Sequence, residues 1–208
     1  MEKITIKQAK ELDHKTFESF RVLRTNLEHV KKDGNVIVFT SVMGKEGKSF
    51  VAFQTACAMA AAGKSCVYVN GNLRKVNSSD IYEVSNVKNT LTDCLNGKVD
   101  AGSIVYETNI GNLYLVESGA VGPCSHASEL LSGPAYQNVI NTLREKYSCV
   151  IIDTPAVGEV ADGLVAAQAA DGVVLVMEPE VVPYEKAQKV KSQLELNGCH
   201  ILGVVLNK

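Results

Sequence analysis

The sequence predicts an α/β fold in which a doubly wound, mostly parallel sheet is flanked by helices on both faces. Short apolar runs alternate along the chain with longer segments of helical periodicity, and this alternation is typical of strand–helix–strand units. The apolar runs lack the polar alternation of half-exposed strands, which indicates strands covered on both sides. Polar clusters follow three of the runs, at 41–49, 70–74 and 153–155, and in such sheets ligands bind beyond the carboxyl ends of the strands.

The N-terminal segment predicts a helix over residues 7–32. Its apolar residues recur at spacings of three and four, as on one face of a helix; they are Phe17, Phe20, Leu23, Leu27 and Val30. Asp33-Gly34 supplies the stop. We therefore assign residues 1–34 to an N-terminal helical extension and residues 35–208 to the sheet and its helices, within one structural domain.

The remaining elements follow from the apolar pattern and the turn signals. Strands are predicted at 35–41, 65–70, 112–119, 148–155, 171–179 and 200–207, with a further short strand at 103–108. Helices are predicted from the loop at 44–47 as far as Gly63, near 89–97, in two pieces within 125–147 that break at Gly133-Pro134, and at 159–170 and 183–198.

The composition argues against several classes of function. The chain has 208 residues, of which 46% are hydrophobic and 21% charged, and a net charge of −2, so no strong attraction to nucleic acid or anionic lipid is expected. We expect no transmembrane segment and no signal peptide, because the apolar runs are short and the N-terminus lacks an apolar core. Six scattered cysteines without a C-x-x-C pair favour buried thiols over disulfides or a zinc site.

The stretch SVMGKEGKS at 41–49 joins a predicted strand to a predicted helix, which is the context of a phosphate-binding loop. Its glycines let successive backbone amides point inward, Lys48 can reach the β- and γ-phosphates of ATP or ADP, and Ser49 can ligate Mg²⁺. The strict pattern G-x-x-x-x-G-K-[ST] is not met, because Val42 occupies its first position. A glycine-rich turn without a ligand is the alternative, and the flanking elements favour nucleotide binding. The predicted nucleotide-binding residues are Gly44, Lys45, Glu46, Gly47, Lys48, Ser49 and Phe50.

A second functional residue is predicted at Asp153, which ends the apolar strand VIID. In phosphate-loop proteins an aspartate at this place holds magnesium, often through water. The alternative is an acidic cap or loop residue. Together with the loop at 41–49, the strand favours Ser49 and Asp153 as the metal-binding residues.

In combination, these segments resemble the cytosolic catalytic domain of the bacterial tyrosine kinases (BY-kinases) of capsule and exopolysaccharide systems, which share the P-loop fold of the partitioning ATPases. The resemblance covers essentially the whole chain. Four features carry it: ESFRVLRTNL, with Glu18, Arg21 and Arg24 in the order E-x-x-R-x-x-R; the loop, similar to S-x-x-P-G-x-G-K-S with Gly44 in place of Pro and Lys45 in place of Gly; the strand SCVIIDTPAV; and the segments SELLSGPAYQNVINTLREKY and GVVLN.

The resemblance implies partners as well as an activity. In the family, the helix with the E-x-x-R-x-x-R pattern builds a ring-like homo-oligomer, whereas the alternative for this stretch is a solvated charged stripe. A membrane-embedded polysaccharide co-polymerase would serve as adaptor, so the chain would be cytoplasmic at the inner face of the membrane through that partner. The acceptor would be a tyrosine-containing protein, Asn207 would contact the adenine ring, and no nucleic acid would be bound.

At one motif the sequence departs from the family. The second strand of the family ends in D-x-D-x-R, where the first Asp is thought to accept the tyrosine proton and the second helps hold magnesium; this chain has Asn70, Asn72 and Arg74. Within the predicted catalytic set of Lys48, Asn70, Asn72, Arg74 and Asp153, the two amides cannot act as carboxylates. An amide cannot accept a proton at neutral pH, and a positioned base contributes about 10²–10⁴-fold in rate. Magnesium also prefers carboxylates and water.

Several explanations of the amides remain open. The chain is a pseudokinase whose nucleotide state controls assembly, a kinase with impaired but sufficient activity, or a variant into which the amides were introduced. A simple Asn-Gly turn is a further interpretation, but it explains the glycine and not the second amide. Two functions of different class follow: a tyrosine kinase-like enzyme, or a non-catalytic nucleotide-gated scaffold. A partitioning-type ATPase is a third, disfavoured because that class carries an extra lysine at the position of Met43.

Overall fold

The computed structural model describes residues 1–8, 12–30, 34–74, 81–119 and 126–208. Its strands are β1 (Lys3–Ile4), β2 (Ile6–Gln8), β3 (Val36–Ser41), β4 (Cys66–Asn70), β5 (Tyr82–Val84), β6 (Tyr106–Thr108), β7 (Leu113–Val116), β8 (Cys149–Asp153), β9 (Gly172–Met177) and β10 (Ile201–Leu206). Its helices are α1 (His14–Val30), α2 (Lys48–Ala61), α3 (Leu91–Leu95), α4 (Ala127–Ser132), α5 (Pro134–Lys146), α6 (Asp162–Ala167) and α7 (Tyr184–Leu196).

Eight of the ten described strands form one sheet in the order β1-β6-β7-β4-β8-β3-β9-β10, and β2 and β5 form a separate two-stranded sheet. Every neighbouring pair in the eight-stranded sheet is parallel except β6–β7, which confirms the predicted mostly parallel sheet. All residues of β3, β4 and β8 are buried. Burial on both faces explains why these strands are continuous apolar runs in the sequence.

Each face of the sheet has its own apolar core. Phe53 of α2 packs on one face against Tyr68, with ring centroids 5.4 Å apart, and the core there also contains Leu115 and Ile151. On the other face, Val139 of α5 belongs to a core with the alternate residues of the same strands. Because side chains alternate along a strand, the side chain that follows each core residue by two positions projects from the same face.

The strand register brings two predicted polar clusters together. Asn70 of β4 lies directly beside Asp153 of β8, and the loop at 41–49 leaves β3, the other neighbour of β8. Gly71 donates its amide hydrogen to the Asp153 carbonyl at 2.8 Å, and a Cβ on Gly71 would lie 2.8 Å from that oxygen. Only glycine fits this close approach, so packing against β8 explains the glycine of the Asn-Gly pair.

The prediction of a helix over 7–32 is wrong at its start. Residues Ile6–Gln8 form β2, antiparallel to β5, and α1 begins at His14, with the Asp13 carboxylate accepting from the Thr16 amide at 2.7 Å. A contact of this kind is typical of an N-terminal cap, so the helix starts after Asp13 and not at residue 7. The predicted stop at Asp33 lies outside the described residues. The face of α1 is also less buried than its spacing predicts, because Phe17 is 46% and Val30 43% exposed.

Other differences from the predicted elements are smaller. The strands β1, β2 and β5 are too short to give a pattern, and the helix predicted at 159–170 is confined to α6. The predicted break at Gly133-Pro134 is confirmed, since Pro134 begins α5, where its missing amide hydrogen costs nothing. Cys57, Cys94 and Cys199 are free thiols, and Cys124 lies outside the described residues.

Candidate nucleotide site

The phosphate loop ends in a residue that only glycine tolerates. Gly47 caps α2 with a φ of 74°, in the left-handed region that other residues avoid. The first helical hydrogen bond runs from the Val51 amide to the Gly47 carbonyl at 3.0 Å. The amides of residues 48–50 therefore precede the hydrogen-bonded part of the helix, where the helix dipole favours an anion. Lys48 and Ser49 are half-buried residues of this first turn.

Glu46 braces the loop from inside. Its side chain is buried, at 2% exposure, and accepts hydrogen bonds from the Met43 amide at 2.6 Å and from the Glu178 amide at 3.3 Å. Ser41 adds a second internal contact, because its hydroxyl donates to the Met43 carbonyl at 2.7 Å. The Glu46 carboxylate therefore acts on the shape of the loop, and its position ties the loop to the end of β9.

Asn207, predicted beside the adenine ring, lies against the same loop. Its side-chain amide donates to the Glu46 carbonyl at 3.1 Å, and a Cβ on Gly47 would come within 2.1 Å of its nitrogen. The end of β10 is therefore in contact with the phosphate loop. Gly47 meets two constraints at once, the left-handed backbone and this close side chain.

The outer part of the loop carries the remaining predicted residues. The Gly44 amide donates to the Glu159 carboxylate at 2.6 Å. Lys45 is exposed and has a φ of 68°, so it occupies a conformation that favours glycine, the residue the resemblance places there. The Phe50 ring packs against Phe20 of α1, with centroids 5.9 Å apart, so the side chain of Phe50 belongs to the contact between α1 and α2, and only its backbone amide is part of the first turn of α2.

Asp153 ends β8 at the base of the site. Its side chain is 3% exposed and accepts a hydrogen bond from the Tyr68 hydroxyl at 3.3 Å. Burial, followed by the nearby Asp153 charge, raises the pKa of Tyr68 well above its usual value. Tyr68 is therefore a neutral donor to the Asp153 carboxylate at physiological pH.

Asn70 and Asn72, the two amides at and just beyond the end of β4 where the family has aspartates, make different contacts. Asn70 accepts from the Asn72 amide through its side-chain oxygen at 3.2 Å, and Asn72 accepts from the Arg74 amide in the same way at 3.2 Å. An Asp could make both of these turns. Asn70, however, also donates from its side-chain nitrogen to Glu117 at 3.0 Å, which an ionised Asp cannot do. The contact with Glu117 explains an amide at position 70, and nothing in the structure explains one at position 72.

Arg74 is held by a buried acid. Its guanidinium donates to both carboxylate oxygens of Asp162, at 2.6 and 2.9 Å. The Asp162 side chain is fully buried, whereas that of Arg74 is 26% exposed. A bidentate pair of this kind fixes orientation as well as charge, so the ion pair anchors the segment after β4 to the start of α6.

The charged residues Glu18, Arg21 and Arg24 of α1 make two different kinds of contact. Arg21 pairs with Glu18 at 2.9 Å on the exposed side of the helix. Arg24 instead donates to the Ala58 carbonyl of α2 at 3.4 Å, a part-buried contact. Arg21 and Glu18 are thus presented to solvent, and Arg24 contacts the helix that follows the phosphate loop.

Three carboxylates at the site were not predicted from the sequence: Glu117, Glu159 and Asp162. Each lies far along the chain from its partner, and none stands in a recognisable motif. Among the described residues no group of three His, Cys, Asp or Glu side chains is close enough to hold a metal. A Mg²⁺ ion would therefore depend on one or two protein oxygens and on the substrate phosphates for its ligands, and Ser49 and Asp153 remain the predicted protein ligands.

The sheet, the glycine-capped loop and the acid at the end of the neighbouring strand define the chain as a P-loop nucleotide-binding protein. No family model matches it. It is 34% identical over 203 residues to the tyrosine-protein kinase CpsD of Streptococcus agalactiae, an alignment that covers 98% of this chain and 86% of that protein. The chain belongs to the bacterial tyrosine-protein kinases.

Solved structures agree with this assignment. The chimerical protein CapA2B2 superposes with a TM-score of 0.82 at 34% identity, covering 91% of this chain and 83% of that one. The septum site-determining protein MinD of Pyrococcus horikoshii OT3, complexed with Mg-ADP, superposes with a TM-score of 0.70 at 27% identity, covering 83% and 69%. The chain therefore shares its fold with both the tyrosine kinases and the MinD-like ATPases.

Proposed function

We propose that this chain binds Mg·ATP and transfers its γ-phosphoryl group to tyrosine, as a kinase domain that regulates capsular or exopolysaccharide biosynthesis. The main observation in support of the proposal is the phosphate loop, in which Gly47 is the N-terminal cap of α2 and Lys48 is the first residue of that helix. Membership of the tyrosine-kinase family over 98% of the chain supports the choice of this activity among P-loop functions.

The cofactor follows from the same site. Mg²⁺ would neutralise charge on the β- and γ-phosphates, with Ser49 and Asp153 as protein ligands. Lys48 would contact the phosphates, Asn207 would lie near the base, and Arg74 would hold the segment that carries the two amides. The similarity to a MinD protein solved with Mg-ADP supports nucleotide binding at this loop.

The runner-up is a non-catalytic scaffold whose assembly responds to the bound nucleotide. It is favoured by Asn70 and Asn72, which cannot supply the two carboxylates that the family motif carries. Phosphoryl transfer depends mostly on positioning and electrostatics, and Lys48, Ser49 and Asp153 are present. The kinase function is therefore the stronger proposal. We expect its rate of phosphoryl transfer to be lower than that of a family member with Asp at the positions of Asn70 and Asn72.

Two measurements on the purified chain test the proposal. Calorimetric titration with Mg·ADP is expected to give saturable heat, and the absence of heat from folded protein would overturn the kinase and the scaffold together. Incubation with labelled ATP, Mg²⁺ and a synthetic tyrosine-rich peptide is expected to label the peptide. Binding of Mg·ADP without any labelling would favour the scaffold.

We also propose that residues 1–34 mediate a ring-like homo-oligomer through Glu18, Arg21 and Arg24. The exposed Arg21–Glu18 pair supports this, because planar guanidinium groups suit carboxylates of a neighbouring subunit. Replacing Arg21 and Arg24 by Ala is expected to leave a monomer in light scattering coupled to gel filtration.

A matched control for the oligomer removes the same charge from another exposed helix. Lys186→Ala with Lys191→Ala on α7, where Lys191 pairs with Glu195 at 3.3 Å, is expected to leave the oligomer intact. An unchanged oligomer in the Arg21 and Arg24 variant would remove the proposed ring interface.

The proposed membrane partner is a polysaccharide co-polymerase, which would place the chain at the inner face of the membrane. The similarity to the chimerical protein CapA2B2 supports a partnered state. None of the helices in the described part of the chain combines the length and the apolar character that a bilayer span requires. A tyrosine-containing protein would be the acceptor.

A further inference from the structure

Three polar side chains line one edge of the sheet on the same face. Glu117 directly follows β7, Asn70 ends β4 and Asp153 ends β8, and the register pairs Val69 with Val116 and Asn70 with Asp153. By the alternation of side chains, all three project from the face that carries Tyr68, Leu115 and Ile151. The same face is covered by α2, the helix that begins at the phosphate loop.

The Glu117 carboxylate lies close to the place of the missing acid. One of its oxygens is 3.0 Å from the side-chain nitrogen of Asn70, and that nitrogen occupies the position that a carboxylate oxygen would take in an Asp. Neighbouring strands are about 4.7–4.9 Å apart, and the additional methylene of Glu compensates for part of that distance. The carboxylate is therefore carried by the chain after β7 instead of by β4, and it reaches back toward the position that an Asp carboxylate would occupy at residue 70.

The surroundings of Glu117 suit a proton acceptor. The side chain is half-buried, and its second oxygen accepts from the Tyr82 hydroxyl at 2.6 Å. Burial raises the pKa of Glu117, although hydrogen bonds from Tyr82, Asn70 and the Ser118 backbone lower it in part. Among the described residues, the groups that interact with it are Tyr82 from β5 and Asn70 and Tyr68 from β4, and none of these three is a cation. A carboxylate has about four acceptor positions, so the three hydrogen bonds from Tyr82, Asn70 and the Ser118 backbone leave one for a substrate hydroxyl.

We propose that Glu117 accepts the proton of the substrate tyrosine in this chain, in the role that the family gives to an Asp at position 70. The inference rests on the proposed kinase function. The tyrosine O–H bond breaks and its proton passes to the Glu117 carboxylate. The tyrosine oxygen forms a bond to the γ-phosphorus of ATP, the bond from that phosphorus to the β–γ bridging oxygen breaks, and ADP leaves with the electron pair. Asn70 orients the carboxylate by donating to it.

The test moves the acid between the two strands. Glu117→Gln is expected to lower the labelling rate of the tyrosine-rich peptide by about 10²–10⁴-fold, with the Kd for Mg·ADP within about threefold of its original value. The double variant Asn70→Asp, Glu117→Gln returns a carboxylate to β4 and keeps an amide beside it. We expect this variant to recover labelling to within about tenfold of the original chain. Glu83→Gln, at an exposed acid next to Tyr82, serves as the matched control and leaves the rate unchanged.

The pH dependence separates a proton acceptor from a structural residue. Labelling by the original chain is expected to fall as the pH drops through the raised pKa of Glu117. Tyr82→Phe removes a hydrogen bond that stabilises the charged carboxylate, so the acid limb of the pH–rate profile moves to higher pH. A merely structural Glu117 would leave that limb in place.

Each contrary outcome is distinct. Full labelling by Glu117→Gln overturns the assignment, and so does a loss that the double variant does not restore, because Glu117 would then act on structure alone. Intact Mg·ADP binding with no labelling by the original chain also overturns it while leaving nucleotide binding in place. Failure to bind Mg·ADP overturns the proposed function itself.

Discussion

Arg74→Ala is expected to lower the free energy of unfolding by about 3–5 kcal/mol, the cost of breaking a buried ion pair from one side. The variant leaves the Asp162 carboxylate at 0% exposure without the guanidinium that donates to both of its oxygens. A domain is stable by only about 5–15 kcal/mol, so the variant retains a small part of its stability. Urea unfolding followed by circular dichroism measures the change.

The two halves of this pair are not equivalent. Asp162→Ala is expected to cost less than Arg74→Ala, because the Arg74 side chain is 26% exposed and its long stem can carry the guanidinium to water. The double variant should lose less than the sum of the two single losses, and the difference measures the coupling. The prediction is wrong if both single variants lose little unfolding free energy and the double variant loses the sum of the two. The ion pair would then contribute nothing to stability in solution.

Lys48→Met is expected to weaken Mg·ADP binding by about ten- to a hundredfold, corresponding to the roughly 1.5–3 kcal/mol of a hydrogen bond to a charged group. Methionine keeps the unbranched, half-buried stem at the first position of α2 and removes only the ammonium group that would contact the phosphates. Peptide labelling should fall below detection, since the same lysine would stabilise the transferring phosphoryl group. Calorimetry measures the first effect and transfer of label the second.

The matched control is Lys64→Met, just beyond the opposite end of α2, where Lys64 pairs with Glu28 at 3.5 Å. This variant makes the same change of charge and residue type near the same helix but far from its N-terminus. Its Mg·ADP affinity should stay within about twofold of the original, as expected for a substitution at a surface ion pair. If the two variants weaken binding equally, the effect is one of net charge and the loop is not the site.

The sequence predicts the central strands well because they are buried on both faces. β3, β4, β8 and β9 are short apolar runs with turn signals on either side, and runs of this length and composition are typical of buried strands. The start of α1 is predicted poorly for the opposite reason. Residues 6–8 form a strand only because β5 lies beside them, and a three-residue strand has no periodicity of its own.

The candidate site divides in the same way. The phosphate loop and Asp153 are local patterns, each contained in a few consecutive residues between a strand and its successor. Asn70 is also visible as a departure from a family motif, but its partner Glu117 is 47 positions away and stands in no motif. Contacts at that separation are set by strand order, which a single sequence does not show.

By itself, the sequence determined the α/β class, the nucleotide loop and the absence of acids at 70 and 72, since these depend on composition and short-range spacing. Only the tertiary structure decided which groups meet: the Arg74 guanidinium with Asp162, the Gly44 backbone amide with Glu159, and the Asn70 side chain with Glu117. The physical reason is that parallel strands bring their carboxyl ends to one edge whatever their separation along the chain. A carboxylate lost from one strand can therefore be supplied by the next.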